Sequence, residues 1–245
     1  MRSVLVVLLL LAAAVPVDAR PRRAGPTRAA IDLDGEPADV RWTDGDTFRI
    51  LSGGHAGASV RLVGVNALET FGPVHRWGGA DGQALLVVAK RAAVAAAALP
   101  ARCTLEPGRD VYRRLLARCP AVAEALVRTG DAMVFAVGGP PDPGLVALQR
   151  EAQRERRGMW AAGAPPLVPT SVHSADEPDL GSRGAYDRIA DTRTGVTEVR
   201  PHRRTYRICE EACVGEGRDR ACMVYVPFAR RYRDKPGCLR PRRAP

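Results

Sequence analysis

The chain has 245 residues, 46% of them apolar, and a formal net charge of +10. That apolar content supports a folded core and excludes a disordered chain, and the charge excludes a strongly acidic protein. At roughly 150 residues per domain the length allows one full domain and a smaller module. Aromatics are only 5%, so the core must be built mainly from Val, Leu and Ala.

Met-Arg-Ser is followed by an apolar run, Val4 to Val15, and by Val17-Asp18-Ala19. A short basic start, an apolar stretch and small residues before a cut site predict a secretory signal peptide over 1–19, cleaved after Ala19. A membrane span needs about 20 apolar residues, and no later segment provides them. The expected compartment is therefore oxidising, periplasmic or extracellular, where disulfides persist.

Residues 20–38 are rich in Pro and charge and are expected to form a loose arm. Val40 to Trp42, Thr47 to Ile50 and Ser59 to Val65 alternate as strands, with turn signals at Asp44-Gly45 and Ser52-Gly53-Gly54. The Ala/Val-rich stretch from Gly79 to Leu99 predicts a helix ended by Pro100. Arg102 to Leu105 and Tyr112 to Cys119 form a second strand pair. Pro120 opens a helix that stops at Gly130, and Pro143 to Arg157 forms another, closed by Gly158-Met159-Trp160. Strands first and helices late predict an α+β fold. Residues 162–199 hold several prolines and an acidic bias and predict a linker. Residues 200–245 hold thirteen Arg or Lys, five Asp or Glu, and four of the six Cys. They predict a small basic, disulfide-rich module.

Cys103 and Cys119 lie on the strand pair and can sit opposite each other within disulfide reach; the alternative is two buried free thiols. Cys209, Cys213, Cys222 and Cys238 predict two more bridges, in one of three connectivities. A zinc site is the alternative there, although no Cys-x₂-Cys spacing is present. So basic a segment buries little apolar area and needs covalent staples. His55, His75, His173 and His202 are scattered and are expected on the surface or in loops.

Three segments carry candidate chemistry: Asp44-Gly45-Asp46-Thr47, Arg61 to Thr70, and Asp110-Val111-Tyr112-Arg113-Arg114. Alone, each has a plain structural reading: a hairpin turn, a solvated strand, a surface ion pair. Together they alternate carboxylates with arginines along strands. Carboxylates suit a hard, all-oxygen cation, and arginine forks suit phosphate. Leu126 to Gly130 and Gln149 to Gln153 follow in order.

In that order and spacing, residues 39–161 resemble the thermonuclease family, the staphylococcal-nuclease-like domains. The resemblance implies a five-stranded OB-type barrel with three helices, mainly β in its core, that hydrolyses DNA or RNA phosphodiesters with Ca²⁺. It assigns Arg61 and Arg114 to the scissile phosphate and Glu69 to the attacking water. Asp46 becomes a Ca²⁺ ligand with Asp44 behind it, and the Ala67 main-chain carbonyl another. Tyr112 takes a phosphate-side position. Three departures follow. Asn66 stands where the family has a second ligating Asp, which weakens metal binding and activity. Arg113 replaces a small Gly beside the catalytic Arg114. After the second helix, where the family often has stacking tyrosines, only Phe135 is found.

The basic tail has two readings. In one, Arg200, Arg203, Arg204, Arg207 and the Arg230 to Arg233 cluster capture nucleic acid, and Tyr206, Tyr225, Phe228 and Tyr232 stack on bases. In the other it is a solvated basic module against an anionic envelope. For the whole chain the leading expectation is an exported monomeric nuclease. The competing ones are an OB-fold nucleic-acid binder that does not cut, favoured by Asn66 and Arg113, and an envelope structural protein.

Overall fold

A computed structural model of the chain describes residues 27–178 and 184–240. The signal-peptide and cleavage readings at 1–19 lie outside the described residues. Among these residues no helix is long and apolar enough to cross a membrane.

The barrel begins earlier than the sequence suggests. Strand β1 (Arg28–Leu33) pairs antiparallel with β2 (Glu36–Trp42) across Asp34-Gly35. Both turn residues have positive φ, 55° and 88°, the geometry that matches strand twist in a two-residue hairpin. The loose-arm reading is thus corrected from residue 28 onward. With β3 (Thr47–Ile50), β4 (Ser59–Leu62), β7 (Arg102–Arg109) and β8 (Leu115–Arg118), these strands close a barrel in the order β1-β2-β3-β4-β8-β7. It has six strands where five were expected, because β1 fills the gap between β2 and β7. Alternate residues of β2 point inward, so Ala38, Val40 and Trp42 are buried, and Trp42 packs on Phe48 with ring centroids 4.9 Å apart.

After Leu62 the chain leaves the barrel. Strand β5 (Gly64–Ala67) pairs with β9 (Ala132–Phe135), an element the sequence reading did not identify. Helix α1 (Gly82–Ala98) is capped by Asp81, whose carboxylate accepts the Gln83 and Ala84 N–H groups at 3.0 and 2.9 Å. Its buried alanines let the barrel approach closely: a Cβ on Gly45 would lie 2.7 Å from that of Ala92. Helix α2 (Pro120–Arg128) starts on Pro120, and α3 (Pro143–Arg154) is capped by Asp142. Gln149 of α3 is wholly buried; it accepts the Val134 N–H at 2.7 Å and donates to the Thr192 carbonyl at 2.6 Å.

The linker reading of 162–199 is corrected. Strands β10 (Leu167–Val172), β11 (Ala185–Asp191) and β12 (Thr197–His202) form an antiparallel sheet. Pro169 stands at a register shift of the edge strand β10, where its missing N–H costs little. The basic tail is joined to the barrel domain as well. Strands β13 (Glu211–Val214) and β14 (Ala221–Val224) extend β6 (His75–Trp77) into a three-stranded sheet. Phe71 and Val74 share one apolar cluster with Val172, Tyr206, Tyr225, Val226 and Leu239. Disulfides join Cys103–Cys119, Cys209–Cys238 and Cys213–Cys222, so no thiolate remains for a zinc site.

His75 and His173 are buried, against the surface reading for the histidines. Neither His75 ring nitrogen has a partner, and burial holds its pKa down at about 4. Tyr206 and Tyr225 are buried too, which removes them as base-stacking residues; the Tyr206 hydroxyl donates to Asp187 at 2.7 Å.

Candidate active site

The turn between β2 and β3 places Asp44 and Asp46, and the Asp46 N–H donates to the Asp44 carboxylate at 3.1 Å. Asp46 is buried and sits where β3, β4 and β5 meet. Its carboxylate pairs with the Arg61 guanidinium of β4, accepts the Ala67 N–H of β5, and accepts the Thr47 hydroxyl at 2.9 Å. Burial alone would raise its pKa, but Arg61, the Asp44 side chain and the Ala67 N–H hold it below the usual carboxylate range. Asp44 behaves oppositely. Burial, then repulsion from Asp46 and Glu69, lifts its pKa well above that range. Glu69, on the loop after β5, is also raised, by burial first, against the pull of Arg231 and with the push of Asp46.

Asp110 builds the opposite wall. It accepts the Tyr112 and Arg114 N–H groups at 2.9 Å each and the Arg114 Nε at 2.7 Å. Arg114 Nη1 then reaches the Thr47 hydroxyl at 3.4 Å, beside Asp46. Arg113 takes φ 65°, the left-handed turn a glycine would adopt without strain, and its carbonyl accepts from Arg109. The structure therefore brings Asp44, Asp46, Arg61, Asn66, Ala67, Glu69 and Arg114 together at one end of the barrel. Arg113 is exposed in the turn beside them.

Asn66 uses both ends of its amide. Its Oδ1 accepts from Arg61 at 2.9 Å and its Nδ2 donates to the Ala67 carbonyl at 3.0 Å. Both oxygens expected to face a cation thus already carry a hydrogen bond. The set still fits a hard cation. Burial first, and then the nearness of Asp46 and Glu69, push Asp44 toward its neutral form, and a divalent ion would offset both by favouring the charged carboxylates. Phe135, the aromatic after α2, lies under Arg61 at 5.6 Å.

Sequence reasoning missed the support behind Tyr112. Its hydroxyl lies 3.0 Å from His173 Nε2, and His173 Nδ1 lies 3.0 Å from Glu177. Facing a carboxylate, Nδ1 carries the ring proton and Nε2 accepts from Tyr112. Desolvation, then Tyr186, pushes the Tyr112 pKa up to about 12, which keeps its hydroxyl protonated. Only contact across the molecule reveals this link, since His173 and Glu177 lie some sixty residues beyond Tyr112.

A closed barrel with arginines and carboxylates gathered at one end defines a staphylococcal-nuclease type of domain. The chain belongs to the family described as staphylococcal nuclease homologue, which it matches over residues 59–162. It is similar to an uncharacterized endonuclease of Escherichia coli O157:H7, 32% identical over 131 residues, which cover 51% of this chain and 77% of that protein. A protein of the same description from Escherichia coli matches to the same extent. The chain therefore carries a nuclease-type domain.

Proposed function

We propose that the chain is an exported, Ca²⁺-dependent nuclease that hydrolyses phosphodiester bonds of DNA or RNA. The observation that carries this reading is the convergence of Asp44, Asp46 and Glu69 with Arg61 and Arg114. Three disulfides among the described residues support export.

Asp46 would hold Ca²⁺ together with the Asn66 and Ala67 oxygens, with Asp44 behind Asp46 as support. When bound, the ion supplies a fixed positive charge against the phosphodiester oxygens. The Arg61 and Arg114 forks bind two phosphoryl oxygens and stabilise the charge that builds on them as water attacks phosphorus. Glu69 accepts the proton of that water, and its raised pKa makes it a better base than an ordinary carboxylate. Tyr112, whose hydroxyl is held by His173, stands on the phosphate side of the site. The basic tail adds cationic surface for capturing the polyanion, with an affinity that falls as salt rises.

The test is cutting of DNA and RNA by the purified chain in Ca²⁺ and in chelator, with Arg61→Ala and Arg114→Ala in parallel. Cutting that needs Ca²⁺ and both arginines supports the reading. One observation favours a second reading, a nucleic-acid binder that does not cut: Asn66 stands among the metal-facing oxygens with its amide already satisfied. Binding without cutting across several divalent ions would leave that one.

A further inference from the structure

The short helix α4 (Phe228–Tyr232) lies against the loop that carries Glu69. Phe71, two residues past Glu69, is the point of contact. The Tyr232 ring is 6.1 Å from that of Phe71, and the Arg231 guanidinium sits over the Phe71 face at 5.0 Å. Lys235 Nζ donates to the Phe71 carbonyl at 2.7 Å. Leu239 packs so closely on Gly72 that a Cβ there would lie 2.7 Å from it. The Cys209–Cys238 bridge ties this segment down one residue earlier. A basic tail expected to be separate thus forms one wall of the candidate site.

Arg231 is fixed but not neutralised. Its Nε donates to the Val226 carbonyl at 3.0 Å, which orients the guanidinium. No carboxylate among the described residues makes an ion pair with its two terminal nitrogens.

Apart from the edge contact of Tyr232 with Phe71, the rings on either side of Arg231 stay outside the core. Phe228 and Tyr232 are each 63% exposed, in edge-to-face contact at 6.1 Å. Tyr206 and Tyr225, in the same tail, show the structural alternative, since both are buried in the shared apolar cluster. Phe228 also lies 6.0 Å from the Arg231 guanidinium. Two wet aromatic faces around a cation, beside a phosphodiester site, match a nucleotide: planar base and anionic phosphate.

We propose that α4 is a nucleotide subsite for single-stranded nucleic acid, in which Arg231 binds the phosphate next to the scissile one and the exposed face of Phe228 or of Tyr232 stacks its base. Duplex cannot use it well, because its bases are paired and already stacked. The inference rests on the nuclease reading for the position of the scissile phosphate. Its own evidence is the geometry of α4.

The test uses the full chain in a Glu69→Gln background, so that substrate survives. Binding of a labelled single-stranded oligonucleotide and of its duplex is measured by fluorescence anisotropy in Ca²⁺ over a salt series. Phe228→Ala with Tyr232→Ala should weaken single-strand binding by about tenfold or more and duplex binding by less than about twofold. Arg231→Ala should weaken single-strand binding and lower the slope of log affinity against log salt by roughly one contact, and Arg231→Lys should restore that slope. Equal losses on both substrates, or no loss on the single strand, would overturn the proposal. Cutting by the chain with Glu69 intact is followed on the same oligonucleotides. If it cuts and the single-strand selectivity is absent, the subsite falls. If it does not cut and the selectivity is present, the subsite stands and the nuclease reading falls.

Discussion

Asn66 sits among the oxygens proposed to face the metal. Its amide donates to the Ala67 carbonyl and accepts from Arg61, so one substitution changes two oxygens at once. Asn66→Asp keeps the acceptor for Arg61, adds a negative charge and frees the Ala67 carbonyl. The expected outcome is Ca²⁺ binding tightened by roughly tenfold, which is about 1.4 kcal/mol, read by calorimetry and by the Ca²⁺ dependence of cutting. Unaltered Ca²⁺ affinity would contradict the placement of Asn66 at the metal. His75 makes a different prediction. Its folded pKa of about 4 lies below the ordinary value near 6.5, so the unfolded chain takes up a proton that the folded chain refuses. Stability is thus fully present above pH 6.5 and falls as the pH drops toward 4, by roughly 3 kcal/mol in total. Urea unfolding of His75→Phe should lose less stability between pH 7 and 4.5, by about 2–3 kcal/mol; equal losses would contradict the buried neutral ring. The candidate residues could be named from the sequence because the resemblance assigns a role to each segment in order. His173 and Glu177 could not, because the contact with Tyr112 is made only by folding.

At the level of elements, legibility followed the strength of local signals. Helix α1 is bounded by Pro100, and α2 and α3 open on Pro120 and Pro143, signals in plain view; the Asp81 and Asp142 caps emerged only in the structure. Strand β1 was hidden because its alternation is short and its Asp34-Gly35 turn sits among charges. Strand β10 was hidden because prolines read as linker, yet Pro169 stands at a bulge on an edge where no ladder bond is lost. Strand β9 is four apolar residues between two helices, too short to classify alone. The Cys103–Cys119 bridge joins β7 to the start of α2 and closes a loop of about fifteen residues. On the chain-entropy account that contributes about 3 kcal/mol. The double variant Cys103→Ala, Cys119→Ala should unfold at lower urea by about that amount, and an unchanged midpoint would show that the bridge constrains nothing.

For the whole molecule, the sequence suggested a nuclease domain, a linker and a separate basic module. The charge division is real, but the physical division is not. Strand β14 completes a sheet with β6, and Tyr206, Tyr225 and Leu239 cover Phe71 and Val74 next to the Glu69 loop. Deleting residues 200–240 should therefore do more than weaken capture of nucleic acid. It should uncover that apolar cluster, lower the melting temperature and abolish cutting. A truncated chain that melts at the same temperature and cuts at an unchanged rate would show that the tail is an appendage.

The central claim is that the carboxylates and arginines at the barrel end perform hydrolysis and do not merely bind. The most direct measurement is Glu69→Gln, assayed for cutting and for binding of one oligonucleotide in Ca²⁺. The substitution keeps size and hydrogen bonding but removes the proton acceptor. The predicted result is a fall in cutting of about 10²–10⁴-fold with binding retained. Cutting at the rate of the unsubstituted chain, or no cutting by either protein while both bind, would contradict the account.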